Sequence, residues 1–264
     1  MSGSILYKTV QDGMVFCFDP SNNKSYVSGT SSALDLKSNT PMTFKNKVYY
    51  GGTGDVLTVI SPTYDTNNCG SIYFNGVTVL TGDALYLPTG DTTTNLTSQV
   101  TLSVWFKKTA YPTWVECPVA KGYNPGTQPF TFYLLSGSIY ARLTTGTIND
   151  YSDISTTYSI NVWNNAVLTY DGSTMKLYLN GVLKSSISKT GSIMNSTLPF
   201  HIGCQYNGGY YPSSAVSKTS EYFKGYLSNV LVYNRGLSSD EVLQNYNALK
   251  KRFGLWVQQM VVWM

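Results

Sequence analysis

Tyr222–Leu255 reads YFKGYLSNVLVYNRGLSSDEVLQNYNALKKRFGL: a strand, a tight turn, a capped short helix and a basic stop in one run. From Gly225 to Tyr233 two parities alternate, Tyr226, Val230 and Val232 on one and Leu227, Asn229, Leu231 and Tyr233 on the other. Period two with aromatic and β-branched side chains predicts a half-buried strand. Asn234-Arg235-Gly236 supplies the turn that ends it. Ser238 followed three residues later by Glu241 fits a capping box. Val242, Tyr246, Leu249 and Phe253 then recur at helical spacing until Gly254 stops the helix.

Outward from this stretch the chain is written in short strands. Gly13–Pro20 predicts a first strand halted by Pro20, while Val27 to Lys47 is Ser/Thr/Asn-rich and reads as loop. Further strands are predicted at Val56–Ile60, in a Ser71–Leu80 hairpin turning on Asn75-Gly76, and at Ala84–Leu87. Val100–Lys107 sets Leu102, Val104 and Phe106 against Thr101, Ser103 and Trp105. Trp114–Ala120, Phe130–Leu135 and Ser138–Leu143 continue the sheet, with Ser136-Gly137 as a turn. The polar segment Thr144–Tyr158 reads as a rim loop. From Asn161, NVWNNAVLTYDGSTMKLYLNGVLKSS places Trp163, Ala166, Leu168 and Tyr170 on a strand ending at Asp171-Gly172. A second Asn-Gly turn follows at Asn180-Gly181. Phe200–Cys204 is another strand, and Gln205–Glu221 a long loop of the kind that carries function. Regular turn signals and one short C-terminal helix predict an all-β antiparallel sandwich.

Three of these stretches resemble the laminin-G-like domains of the concanavalin A-like lectin/glucanase superfamily. They are the Tyr222–Leu255 ending, the Asn161 hairpins and the VTLSVWFK strand at Val100–Lys107. The ending, together with the GMVFCFDP opening at Gly13, is most similar to copies carried by structural proteins of tailed bacteriophages. The resemblance covers roughly Gly13 to Leu255 and implies a two-sheet jelly roll. One departure stands out: Asn165 occupies the place of a histidine common in the family pattern. The expected division is an N-terminal extension (1–12), the jelly-roll domain (13–255) and an apolar C-terminal tail (256–264).

Composition narrows the chemistry. The 264 residues can bury a full core as one domain. Aromatic residues make up 14%, including 22 Tyr, and charged residues only 12%, so adaptable weakly polar surface predominates. A net charge of +4 with scattered lysines, and Arg142, Arg235 and Arg252 far apart, offers no phosphate-reading groove; no nucleic acid partner is expected. Cys17, Cys69, Cys117 and Cys204 lack metal spacing and read as thiols. The opening MSGSILYKTVQDG has no signal-peptide pattern, and no apolar run is long enough to span a bilayer.

Glycoside hydrolysis needs two carboxylates across the scissile bond, and Glu116, Glu221 and Glu241 lack an acid partner at the offset used by the superfamily's hydrolases. With His201 the sole histidine, no nucleophile-and-base relay can be built from His. No catalytic residues are therefore expected, and the chain reads as a non-enzyme. No cofactor is called for. The superfamily does place calcium at the sandwich rim, and Asp19, Asn75, Asp83 and Asp171 are candidate ligands at turn ends, each equally a turn former. Aromatic loops suited to stacking on sugars are Tyr206, Asn207, Tyr210 and Tyr211, with Tyr123 and Asn124. The tail offers Trp256, Val257, Met260, Val261, Val262 and Trp263 for docking onto a neighbouring subunit. The expectation is a virion component of a bacteriophage (capsid decoration, neck or fibre), made in the host cytoplasm. Its partners would be other virion proteins or copies of itself. A carbohydrate-binding module for a host-surface polysaccharide is the alternative, and a glycoside hydrolase a distant third.

Overall fold

The structure, a computed structural model, describes residues 9–25, 32–37, 41–45, 63–76, 84–87, 91–122, 128–205 and 221–255. Along the chain these form β1 (Met14–Phe18), β2 (Ser32–Leu34), β3 (Pro41–Lys45), β4 (Thr63–Asp65), β5 (Ser71–Asn75), β6 (Ala84–Tyr86), β7 (Val100–Lys107) and β8 (Glu116–Lys121). There follow β9 (Phe130–Leu135), β10 (Ser138–Thr144), β11 (Tyr151–Thr157), β12 (Trp163–Tyr170), β13 (Thr174–Leu179), β14 (Val182–Ser188), β15 (Phe200–Ile202), β16 (Lys224–Tyr233) and α1 (Ser239–Leu249). The described strands make two sheets. Sheet A runs β14-β13-β12-β7-β16-β5-β4, with β1 also on β16, and sheet B runs β11-β10-β9-β8-β15-β6-β3-β2. Every strand pairing is antiparallel. This is the expected two-sheet jelly-roll sandwich with one short C-terminal helix.

The main core lies between the sheets. Leu102, Val104 and Phe106 of β7 and Ala166, Leu168 and Tyr170 of β12 meet Phe130, Phe132, Leu134, Ile139 and Leu143 of sheet B. Phe16 packs edge-on against Phe200, ring centres 5.1 Å apart, and so ties β1 to the opposite sheet. Full burial of one such side chain contributes roughly 1.5–3 kcal/mol, which accounts for the run of residues with no solvent exposure.

A second apolar layer covers the outer face of sheet A. Val242 of α1 packs with Val10, Met14, Cys17, Leu231, Tyr233 and Leu237. Trp105 and Trp163 pack with Leu249 and Phe253. The capping box forms as predicted, Glu241 N donating to Ser238 Oγ and Ser238 N to Glu241 Oε2. Gly254 takes φ +74° beyond the helix, a conformation that suits glycine. Arg252 then fastens the exit, donating to Asp19 Oδ1 (2.7 Å), Cys69 O, Gly70 O and Ser228 Oγ.

The N-terminal residues 9–12 belong to this layer. Val10 N donates to Asn245 Oδ1 (2.7 Å), and Val10 O accepts from the Tyr233 hydroxyl.

Four local expectations are corrected. β16 is buried on both faces, not half-buried, because it has the inter-sheet core on one side and the helix layer on the other. Its register shifts between Leu227 and Val230, so a bulge at Ser228–Asn229 swaps parity: Leu227 joins Val230 and Val232 in the main core, and Tyr226 points to the helix side. Thr144–Tyr158 is not a loop throughout but carries β11, a polar edge strand whose one buried residue is Ile154. Within Val27–Lys47 two short strands form, β3 pairing with β2 on one side and with β6 on the other. β2 and β11 lie at the two edges of sheet B, where little apolar alternation is needed, which is why composition alone reads them as loop.

Candidate functional site

The outer face of sheet B builds a cluster from three consecutive strands. Ser136 (φ +48°) and Gly137 (φ +84°) both adopt positive φ, giving a two-residue turn that fixes Tyr133 opposite Tyr140. With Phe132, Leu134, Ile139, Ala141 and Leu143 committed to the core, period-two alternation sends Tyr133, Tyr140 and Arg142 outward. β11 adds Asp153 opposite Arg142 and Tyr151 opposite Thr144.

The resulting geometry is a ladder of planar groups. Tyr133 and Tyr140 stack with ring centres 4.6 Å apart and planes 4° from parallel. The Arg142 guanidinium lies 5.2 Å from the Tyr133 ring centre and 4.1 Å from that of Tyr151. Arg142 grips Asp153 with two parallel bonds, Nε to Oδ1 at 2.8 Å and Nη2 to Oδ2 at 2.7 Å. Nη1 donates to Gln128 Oε1, and the Tyr133 hydroxyl donates to Asp153 Oδ2. Burial and the neighbouring carboxylate push the Tyr133 phenol up, so it stays a donor. Burial works to lower the Arg142 pKa, but the bonds and charge of Asp153 outweigh it and hold the cation further above its ordinary value. Tyr151, with the guanidinium over its ring, stays 45% exposed to solvent.

The turn joining β10 to β11 also forms one wall of a groove of about 610 Å³, with Gly146, Thr147 and Ile148 facing Met194–Leu198. Gly146 N to Ser192 O and Met194 N to Thr144 O hold the two walls together.

Other sequence-predicted positions fall elsewhere. Tyr206, Asn207, Tyr210, Tyr211, Tyr123 and Asn124 lie outside the described residues, as do Trp256, Val257, Met260, Val261, Val262, Trp263, Asp83 and the Val56–Ile60 strand. Asp19 accepts from Arg252 (2.7 Å) and Ser21, and Asp171 closes its own turn on Ser173 and Thr174. Asn75 ends β5. Among the described residues no three His, Cys, Asp or Glu side chains gather to hold a metal ion. Glu116 is paired with Lys108 and accepts from Lys224 N, Glu221 accepts from the Cys117 thiol, and Glu241 caps α1. His201 is buried in β15, stacked on Tyr86 with Nδ1 at 3.1 Å from Pro199 O. Asn165 bridges Ser103 Oγ and Val104 O inside sheet A, a structural role. The four cysteines form no disulfide, and no helix among the described residues is long and apolar enough to cross a membrane.

The sequence reading missed the ladder. The signal was there for half of it, since the Ser136-Gly137 turn alone pairs position 133 with 140 and 131 with 142.

Comparison with known proteins agrees with this architecture. A laminin-G type family model, described as "Concanavalin A-like lectin/glucanases superfamily", matches residues 80–243, more than half of the chain. No curated protein matches. Among solved structures, domain 4 of AbnA, a GH43 extracellular arabinanase from Geobacillus stearothermophilus in complex with arabinotriose, superimposes with a TM-score of 0.59 at 18% identity. That match covers 88% of this chain and 98% of that one. The binding domain of botulinum neurotoxin DC in complex with SialylT gives 0.61 at 13% identity, over 90% of this chain and 52% of that one. The binding domain of Paraclostridial mosquitocidal protein 1 gives 0.61 at 18%, with the same coverage. The chain thus spans about half the length of these toxin binding domains, and at such identities the likeness concerns the fold.

Proposed function

This chain belongs to the concanavalin A-like lectin/glucanase superfamily, and on that premise we propose that it is a non-enzymatic carbohydrate-binding module. The observation that carries the reading is the Tyr151–Arg142–Tyr133–Tyr140 ladder with Asp153. Sugars are held by apolar ring faces lying on aromatic side chains and by hydroxyls bonded to fixed polar groups. Here a half-exposed tyrosine stands beside a rigid guanidinium–carboxylate pair on a sheet. Structural neighbours that carry arabinotriose or SialylT support the same reading. The aromatic loops at Tyr206–Tyr211 and Tyr123–Asn124 are proposed as secondary contacts.

On a glycan array that includes arabinotriose, the intact protein is expected to bind at least one glycan, and Tyr151→Ala to weaken that binding by about tenfold, ~1.4 kcal/mol. Tyr210→Ala with Tyr211→Ala is expected to cost less. Absence of any bound glycan, or binding unchanged in both Tyr151→Ala and Tyr140→Ala, refutes the assignment.

A second reading, compatible with the first, is favoured by the Tyr222–Leu255 ending: the chain serves as a structural or attachment component of a tailed-bacteriophage particle. Virion proteins or further copies of itself would be its partners, docked through the apolar tail Trp256–Met264. Deleting residues 256–264 is expected to abolish incorporation into particles while the domain still folds. Unchanged incorporation would end that reading.

A further inference from the structure

We infer that the ligand is an uncharged, extended sugar chain, running from the ladder along the β10–β11 hairpin into the groove at its tip. This rests on the carbohydrate-binding reading and goes beyond it in ligand class and in the extent of the site.

Charge comes first. An anionic sugar, sulfated or carboxylated, is recognised by a cation with donors to spare. Three of the five Arg142 donors are spent, Nε and one N–H of Nη2 on Asp153 and one N–H of Nη1 on Gln128, and the Asp153 carboxylate already neutralises the guanidinium charge. Lys189, beside the same hairpin, is held by Asp150 through both Oδ1 (2.7 Å) and the backbone carbonyl. The groove residues Gly146, Thr147, Ile148, Met194, Asn195 and Thr197 carry no charge at all. What the surface offers is hydroxyls, amides, aromatic rings and apolar side chains, the partners of neutral sugar hydroxyls and ring faces. Placing an extra carboxylate against Asp153 would also bring like charges together, which is unfavourable.

Extent comes second. Ladder and groove are two parts of one hairpin. Arg142 stands four residues before Gly146, and Tyr151 three residues after Ile148. At ~3.3 Å per residue the path from the Tyr140–Tyr133 pair to Gly146 is about 20 Å. Tyr151 is 45% exposed and Ile148 59% exposed, so apolar surface continues from the ladder to the lip of the groove. A single terminal sugar covers only a fraction of that path. The hairpin itself is held firm: Thr145 N bonds Asp150 O, and Thr145 pairs with Ile193 of the opposite wall.

The test uses the full chain. Immobilised neutral polysaccharides (arabinan, mannan, galactan, glucan) and polyanions (polygalacturonate, dextran sulfate) are compared at low salt and at about 0.5 M salt, where charge interactions are screened beyond a few Å. Retention on a neutral polysaccharide is expected to persist at high salt, and retention on polyanions, driven by the net positive charge, to vanish. For the neutral polymer that binds, calorimetry with its mono-, di-, tetra- and hexasaccharides is expected to show affinity rising at least tenfold, ~1.4 kcal/mol, with length. Ile148→Ala with Asn195→Ala, both at the surface, is expected to remove most of that gain without changing disaccharide affinity. Arg142→Gln with Asp153→Asn keeps the site neutral and is expected to weaken all lengths alike.

Salt-resistant binding that requires a sulfate or carboxylate overturns the neutral class. Equal affinity for mono- and hexasaccharide overturns the extended site. In both cases sensitivity to Tyr151→Ala leaves the carbohydrate-binding reading standing. Absence of binding to every glycan overturns both.

Discussion

Replacing Trp105 with alanine is expected to cost about 3–5 kcal/mol of stability and to lower the melting temperature by roughly 10 °C. Trp105 is 1% exposed at the centre of β7, yet it points away from the inter-sheet core. Phe253 stacks on it at 4.2 Å with planes 17° apart, Tyr246 at 5.6 Å with planes 6° apart, and Trp163 closes on Phe253 at 4.7 Å. Truncation opens an indole-sized hole that this rigid aromatic stack cannot refill, and it removes the surface on which α1 and the turn after it lie. The loss should therefore be uneven. Hydrogen exchange is expected to accelerate most in Ser239–Phe253 and least in β9 and β10. A drop of only about 2 °C, or uniform loss of protection, would show that the helix layer is held chiefly by the Arg252 and Asn245 bonds instead.

The opposite sign is expected at Lys121. Its side chain is 1% exposed, and Nζ has no hydrogen-bond partner. Burial pushes its pKa down from 10.5 to about 8, with Asp91 pulling weakly the other way. Because the unfolded chain holds this proton more tightly than the folded one, the contribution of Lys121 to stability is most favourable above pH ~10.5, declines as the pH falls towards ~8, and is flat below that. At neutral pH the protein carries the whole penalty. Lys121→Met, similar in length and apolar, is expected to raise stability by about 1–3 kcal/mol at pH 7. The two proteins should converge near pH 10.5. Denaturant titrations across that range check it. A variant less stable at pH 7, or a gain independent of pH, would mean that the ammonium has a partner after all.

How much of this was legible depended on whether the determining forces are local. The Ser238–Glu241 cap, the Asn180-Gly181 turn (φ +54° and +78°) and the Val242–Leu249 face all come from neighbours within a few residues, and each formed as read. The parity switch in β16 did not come through. Ser228 and Asn229 carry no local bulge signal, and only pairing with β7 on one side and β5 on the other forces the shift. β11 was hidden for a related reason. An edge strand that packs one residue, Ile154, against the core has no need of alternation, and without it Asp153 and Tyr151 could not be set beside Arg142. The ladder was therefore half readable, through the Ser136-Gly137 turn, and half dependent on a pairing that polar composition disguises.

The location of Val10 and Leu255 has a consequence for display. Both lie in the α1 layer on sheet A, Val10 bonded to Asn245 and Leu255 just past the Arg252 clasp. The ladder stands on the far side of the sandwich. Copies fastened side by side through that layer would all turn their Tyr151–Arg142 ladders, the proposed sugar sites, the same way. A site too weak to hold one chain on its own could then grip a polysaccharide through many simultaneous contacts, and avidity of this kind multiplies binding by about 10²–10⁴ without adding a single new bond.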